Sequence, residues 1–224
     1  MNQHRPRILV VDDSATSRTM LEKQLQRCGC EVACAADGGS ALAALQRSPY
    51  DLVLLDCYMP DMNGYEVARK VRQREEGAAT YTPLIGISAE VDAAHTQLCL
   101  DSGMDGMLGK PLPLDQFKHL LALWCDFEPA QAAVASAEQV PPDLELLFRQ
   151  TSLHDLDAMA LAHQQSERAV VMRLAHRIKG AALTMQRPVM VELLERIESG
   201  TPGRDADGEV DVNALIKALR EALG

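Results

Sequence analysis

The chain has 224 residues, enough for one medium-sized α/β domain plus a smaller unit, and its 47% apolar content gives both a core to bury. With 22 basic against 32 acidic residues the formal charge is −10, which provides no broad cationic surface to displace counterions from a nucleic-acid backbone; direct DNA binding is not expected. No run approaches the ~20 apolar residues that a membrane span requires.

From Arg7 to Trp124, short apolar runs alternate with amphipathic stretches, the pattern of parallel strands joined by crossover helices. The strands are expected at Arg7–Val11, Glu31–Ala35, Leu52–Asp56, Leu84–Ser88 and Gly106–Leu108, and the helices at Ser14–Arg27, Gly38–Arg47, Tyr65–Arg74, Ala93–Asp101 and Leu114–Trp124. The first domain, residues 5–124, is therefore predicted to be a doubly wound five-stranded parallel sheet, a flavodoxin-like α/β layout that gathers its ligands at the carboxyl ends of the strands.

Residues 125–142 are rich in Ala, Gln and Ser and end in a Pro-Pro pair, and are expected to form a linker. Beyond it, Leu144–Gln150, Leu153–Gln165, Glu167–Met185, Val189–Ser199 and Val212–Leu223 all have helical spacing, so residues 143–224 are expected to form a smaller all-α bundle. Thr201–Gly208, with two Gly and one Pro, reads as a loop between the last two helices.

Six cysteines (Cys28, Cys30, Cys34, Cys57, Cys99 and Cys125) follow no signal peptide, and mostly lie in or beside apolar runs, so they are expected to be reduced thiols of a cytoplasmic protein. Cys28-Gly29-Cys30 lacks a second Cys/His pair at zinc-finger spacing.

Asp12 and Asp13 directly follow the first strand, and Asp56 ends the third. If those strands are neighbours, three carboxylates converge at one sheet edge, where mutual repulsion raises their pKa values unless a hard divalent cation, Mg²⁺ by preference, neutralises them. Ser88 at the end of the fourth strand and Lys110 after the fifth supply a hydroxyl donor and a positive charge where a phosphoryl group on Asp56 would place its oxygens. A lone carboxylate after a strand is ordinarily a cap or turn former. Here the ends of four strands carry the set in order.

The strings Val11-Asp12-Asp13-Ser14, Leu55-Asp56-Cys57-Tyr58-Met59-Pro60-Asp61-Met62-Asn63-Gly64, Ile87-Ser88-Ala89 and Gly109-Lys110-Pro111 resemble the receiver domain of two-component response regulators over residues 7–124. The resemblance implies Asp56 as phosphoacceptor, with Asp13 binding Mg²⁺ directly, Asp12 through water and Tyr58 through its backbone carbonyl. Ser88 and Lys110 would hold the phosphoryl oxygens, and a cis Lys110–Pro111 peptide bond is implied. One departure is Met107, three residues before the lysine, where receivers carry Tyr or Phe. That puts an aromatic switch in doubt more than it does phosphoryl acceptance.

In the second domain Ser166 is the expected N-cap of a helix whose Val171, Leu174, Ala175, Ile178, Ala182 and Met185 form one apolar stripe. At about 100° per residue, His176 lies off that stripe and is expected to face solvent, with Gly180 one turn later on the same open side. Gly180 leaves space for a partner's active site to approach, and Lys179 at i+3 can offset the charge of a phosphoryl group on the ring. Neutral imidazole is a competent nucleophile near pH 7. An exposed histidine alone is ordinarily a surface residue, and His154 and His163 are read so, lacking such companions.

Ala175-His176-Arg177-Ile178-Lys179-Gly180-Ala181-Ala182 resembles the histidine-containing phosphotransfer (HPt) domain, over about residues 143–224. This implies His176 as phosphorylated residue, Lys179 as phosphoryl support and Gly180 as access. No P-loop-type glycine-rich nucleotide loop and no likeness to a kinase ATP-binding domain is found, so phosphoryl groups must come from elsewhere. The expectation is a phosphorelay carrier with self-catalysed transfer, with a sensor or hybrid histidine kinase upstream and a receiver or HPt protein as partner. The alternatives are a phosphorylation-gated binding adaptor and the C-terminal fragment of a hybrid sensor kinase; Met1 just before the first strand favours a free-standing protein. A haloacid-dehalogenase-like phosphatase would need Asp-x-Asp where Asp12-Asp13-Ser14 stands.

Overall fold

Apolar runs of five residues, followed by side chains that cap the next helix, set the rhythm of the first half of the chain. In the computed structural model, residues 5–77, 80–127, 142–199 and 211–224 are described. The order is β1 (Arg7–Val11), α1 (Ala15–Arg27), β2 (Glu31–Ala35), α2 (Gly38–Arg47), β3 (Leu52–Asp56), α3 (Gly64–Glu75), β4 (Leu84–Ser88), α4 (Ala93–Asp101), β5 (Gly106–Gly109) and α5 (Leu114–Cys125). Ser14 turns out to be the N-cap of α1 and not its first residue, and Asn63 with Glu66 forms a reciprocal capping box that starts α3.

All strands run parallel in the order β2-β1-β3-β4-β5. Alternation along β1 and β3 divides the core between two faces. Leu9, Val11, Val53 and Leu55 meet Leu42, Val67 and Val71 from α2 and α3, with Cys99 from α4. Ile8, Val10, Leu52 and Leu54 meet Leu21 and Leu25 of α1 with Phe117 and Leu121 of α5. Because both faces are covered, the interiors of β1, β3 and β4 are apolar throughout, and β3 and β4 carry their one polar residue at the carboxyl end.

The chain divides into two compact units, residues 1–140 and 141–224. The expected linker falls largely on residues outside those described, as does the whole Thr201–Gly208 loop. In the second unit α6 (Pro142–Gln164), α7 (Arg168–Thr184), α8 (Pro188–Ser199) and α9 (Val212–Leu223) follow one another. Each packs on the next and α9 returns to α6, closing a bundle.

Two expectations are corrected here. The stretches 144–150 and 153–165 are one helix, because no Gly or Pro separates them and the Thr151 hydroxyl donates back to the Leu147 carbonyl, 2.9 Å away, within the helix. Ser166 does not cap α7. Its φ of +59° places it in the left-handed turn that ends α6, where Glu167 N–H donates to Ala162 O at 2.9 Å and Ser166 N–H to His163 O at 3.0 Å. Gln186, φ +54°, ends α7 in the same way, with Arg187 N–H donating to Ala182 O at 2.8 Å.

Gly64 joins the fold to the first site. A Cβ there would stand 2.3 Å from the Asp56 carbonyl oxygen, a backbone atom that cannot turn aside. Gly64→Ala is therefore expected to destabilise the chain by about 1–3 kcal/mol, seen as a lower urea midpoint at unchanged slope.

Candidate functional site

The position of β1 beside β3 sets Val11 against Leu55 in register, so Asp12 and Asp56 leave the sheet at one edge. Asp12, Asp13 and Asp56 each offer a carboxylate oxygen within 4.8 Å of the others. Asp12 and Asp56 are 1% and 4% exposed, and Asp13 is half-buried. Lys110, on the turn after β5, reaches across the strand ends, and its Nζ is 2.7 Å from both Asp12 Oδ2 and Asp56 Oδ2.

Backbone amides fix the other carboxylate oxygens. Ser14 N–H donates to Asp12 Oδ1 at 2.8 Å, and Tyr58 N–H to Asp56 Oδ1 at 3.0 Å. Ser88 is fully buried at the end of β4; its Oγ accepts from Glu90 N–H at 3.1 Å, and its carbonyl accepts from Lys110 N–H at 2.8 Å. The Lys110–Pro111 bond is cis, as the resemblance implies.

Burial pushes the Asp12 carboxyl up to about 7, with the neighbouring Asp56 and Asp13 charges adding to the shift and Lys110 opposing it. For Lys110, burial works against the ammonium, but the charges of Asp12 and Asp56 outweigh it and hold its pKa above the usual lysine range. One cation is thus shared between two buried anions while a third carboxylate stands at the rim. That donor set, all hard oxygens with an excess of negative charge, fits Mg²⁺.

Tyr58 packs edge-on against both Tyr65, at 6.0 Å between ring centroids, and His95 at the start of α4, at 5.8 Å. Met107, opposite Gly86 in the β4–β5 pairing, is partly buried against the core face formed with α2, α3 and α4.

His176 lies in the middle of α7, and its placement differs from the fully solvent-facing ring expected. The side chain is 21% exposed, and Nδ1 stands 3.1 Å from Glu198 Oε1 on α8. Lys179 differs more. Instead of reaching into solvent beside the ring, its side chain is 2% exposed and its Nζ bonds Glu198 Oε2. Gly180 is buried. The physical reason is shared: α7 packs against both α6 and α8, so it buries two flanks and not one stripe. Arg177, between them, holds Asp155 of α6 through Nε at 2.9 Å and through Nη2.

Glu198 is the member of this site that sequence reasoning missed. It lies 22 residues from His176, and no local motif marks it. A signal was nonetheless available, because the α7–α8 hairpin turns at Arg187 and the two positions are equidistant from it. Burial alone would raise the Glu198 carboxyl, but hydrogen bonds from His176 and Lys179 and the lysine charge prevail and hold it below the usual carboxylate range.

The response regulator receiver domain family matches residues 8–122, and the Hpt domain family matches residues 144–223. Virulence sensor protein BvgS of Bordetella pertussis is 30% identical over 95% of this chain and 20% of its own length. Sensor protein EvgS of Escherichia coli K12 is 30% identical over 96% of this chain and 18% of its own length. The chain thus spans about a fifth of the length of these curated relatives. Among solved structures, the receiver domain of sensor histidine kinase PA1611 from Pseudomonas aeruginosa, with a magnesium ion coordinated in its active site cleft, is 31% identical with a TM-score of 0.50, covering 55% of this chain and 100% of that one. No helix among the described residues is long and apolar enough to cross a membrane.

Two measurements bear on these sites. Mg²⁺ at a hundredfold excess over its Kd should stabilise the chain by about 2.7 kcal/mol in thermal unfolding, and Asp13→Asn should lose most of that gain. Glu198, with a folded pKa depressed below 4.5, contributes stability that is complete above that value and is lost as pH falls through the depressed one. In Glu198→Gln this acid-side loss should disappear from the part of the unfolding profile below about pH 4.5.

Proposed function

Since the chain belongs to the response regulator receiver family and carries an Hpt domain after its receiver, we propose that it is a two-component phosphorelay protein holding a phosphoryl group on Asp56 and, at another stage, on His176. The observation that carries this reading is the Lys110 ammonium, 2.7 Å from Asp12 and from Asp56 at the carboxyl edge of a parallel sheet. A buried cation beside a buried carboxylate nucleophile suits a reaction whose cost is the negative charge of the transferred group.

In the receiver, an Asp56 oxygen forms a P–O bond as the donor's P–N bond breaks, and the donor imidazole departs with the bonding pair. Lys110 follows the charge from the Asp56 carboxylate to a phosphoryl oxygen, and the Ser88 hydroxyl donates to another. Asp12, Asp13, Asp56 and the Tyr58 carbonyl would hold Mg²⁺, which when bound neutralises the crowded carboxylates and phosphoryl oxygens. Backbone amides of Ser14 and Tyr58 keep Asp12 and Asp56 aimed throughout.

In the bundle, the His176 ring accepts or yields the group at a partner's site. Partners of matching chemistry are a sensor or hybrid histidine kinase upstream, and a receiver or HPt protein with which His176 or Asp56 exchanges. The similarity to the sensor proteins BvgS and EvgS supports this setting.

Radiolabelled acetyl phosphate with Mg²⁺ tests the receiver assignment. The wild-type chain should acquire a hydroxylamine-labile, acid-stable acyl phosphate, and Asp56→Ala should acquire none. An equal acyl label on Asp56→Ala would overturn the assignment.

A further inference from the structure

Resting on the reading of Asp12, Asp13 and Asp56 as the groups that hold Mg²⁺, we propose that Arg18 is a positioning residue of that site: its guanidinium fixes the peptide between Asp12 and Asp13 and so aims the Asp13 carboxylate at the metal. Arg18 Nη1 donates to the Asp12 carbonyl oxygen at 2.6 Å. That oxygen belongs to the planar group joining the two aspartates, so holding it also sets the direction in which the Asp13 N–Cα bond leaves. The peptides on either side are held as well. Asp12 N–H donates to Ala35 O of β2 at 3.3 Å, and Ser14 N–H, in the peptide after Asp13, donates to Asp12 Oδ1 at 2.8 Å. Asp13 thus stands between two fixed peptide groups, and Arg18 is the one clamp of the three made by a side chain that is not itself a site carboxylate.

The local structure explains how a helical residue reaches back to a strand end. Arg18 lies one turn into α1, where its own N–H donates to Ser14 O at 3.0 Å and fixes its Cα. Side chains on a helix lean toward its amino end, so a long stem at this position passes the Ser14 cap and arrives at the Asp12 carbonyl. A cation near the start of a helix opposes the helix dipole, and the charge-assisted bond to that carbonyl offsets this. Asp37, the N-cap of α2, stands near enough to feel the same charge: the Ser40 amide is the chief cause that holds its carboxyl below the usual range, and Arg18 is a lesser one.

Two effects of the guanidinium on Mg²⁺ affinity have opposite signs. As a positive charge beside the acidic cluster it repels a cation, and by Coulomb's law its removal would tighten binding. As a clamp on the Asp13 backbone it arranges a ligand in advance, and its removal would weaken binding, by about 10- to 100-fold for groups that orient metal ligands. Arg18 is half-buried, so water screens its charge, whereas the 2.6 Å contact is local and unscreened. The clamp prevails, and the sign of the change identifies it.

The test is a Mg²⁺ titration of the full chain followed through amide NMR shifts, at a temperature where each variant gives the spectrum of a folded protein. Arg18→Met keeps the apolar stem and loses donor and charge. It should weaken Mg²⁺ binding by roughly tenfold, and should shift the Asp13 amide resonance before any metal is added. Arg18→Lys keeps the charge but lacks the planar fork, so its affinity should fall between those of Arg18→Met and the wild type. In an Asp13→Asn background the ligand being aimed is gone, so adding Arg18→Met should change the affinity by no more than about twofold. Equal or tighter binding in Arg18→Met would overturn the proposal, as would a full tenfold loss in both backgrounds. If Arg18→Met does not fold, Arg18→Lys decides alone, and wild-type affinity in it would overturn the proposal. A wild-type chain that binds no Mg²⁺ would instead overturn the metal site, and the role of Arg18 with it.

Discussion

Two carboxylates at the ends of adjacent strands, both withdrawn from water, share one ammonium, and much of the receiver's architecture serves that contact. Neither Asp12 nor Asp56 could be left ionised in such a place alone, since the cost of desolvating an isolated charge far exceeds ordinary stability margins. Lys110 makes the burial tolerable, and it can do so only because β5 ends beside β4, whose Ser88 carbonyl fixes the lysine amide. The strand order is what lets residues nearly a hundred positions apart form one site. Packing both faces of the sheet leaves the site's charges to gather at its carboxyl edge.

The bundle solves the converse problem. There one carboxylate, Glu198, lies between an ammonium and an imidazole, so the anion is the shared member and the cation is the buried one. In both units a charged group is held by more than one partner, which fixes its direction as well as its ionisation. An orientation set in this way survives side-chain fluctuation better than one set by a single hydrogen bond.

The receiver site was legible because its chemistry sits where a parallel sheet must put it. Asp12 and Asp13 directly follow apolar β1, Asp56 and Ser88 end β3 and β4, and Lys110 directly follows β5. The bundle was legible as helices but less so as a site. A single-stripe reading of α7 puts Lys179 in water, whereas a helix flanked by two neighbours buries it, and the partner that makes this acceptable lies on another helix. Ser166 failed as a cap for a related reason. A serine before a helix is a good acceptor, but the same residue also closed α6, and the left-handed turn there took precedence. Local preference decides a helix end only when no neighbouring element needs that residue.

Beside Asp56, on the neighbouring strand, lies a layer built on sulfur. Any Cβ on Gly86 of β4 would meet Cys57 Sγ at 3.0 Å, Met104 Sδ at 3.0 Å and Cys99 Sγ at 3.3 Å, so the strand rests here on sulfur. Large, polarisable atoms on an unbranched thioether and two thiols make a cushion and not a jigsaw. Ser88 stands two residues along the same strand, so this layer of sulfur lies beneath the strand end that carries the site's hydroxyl.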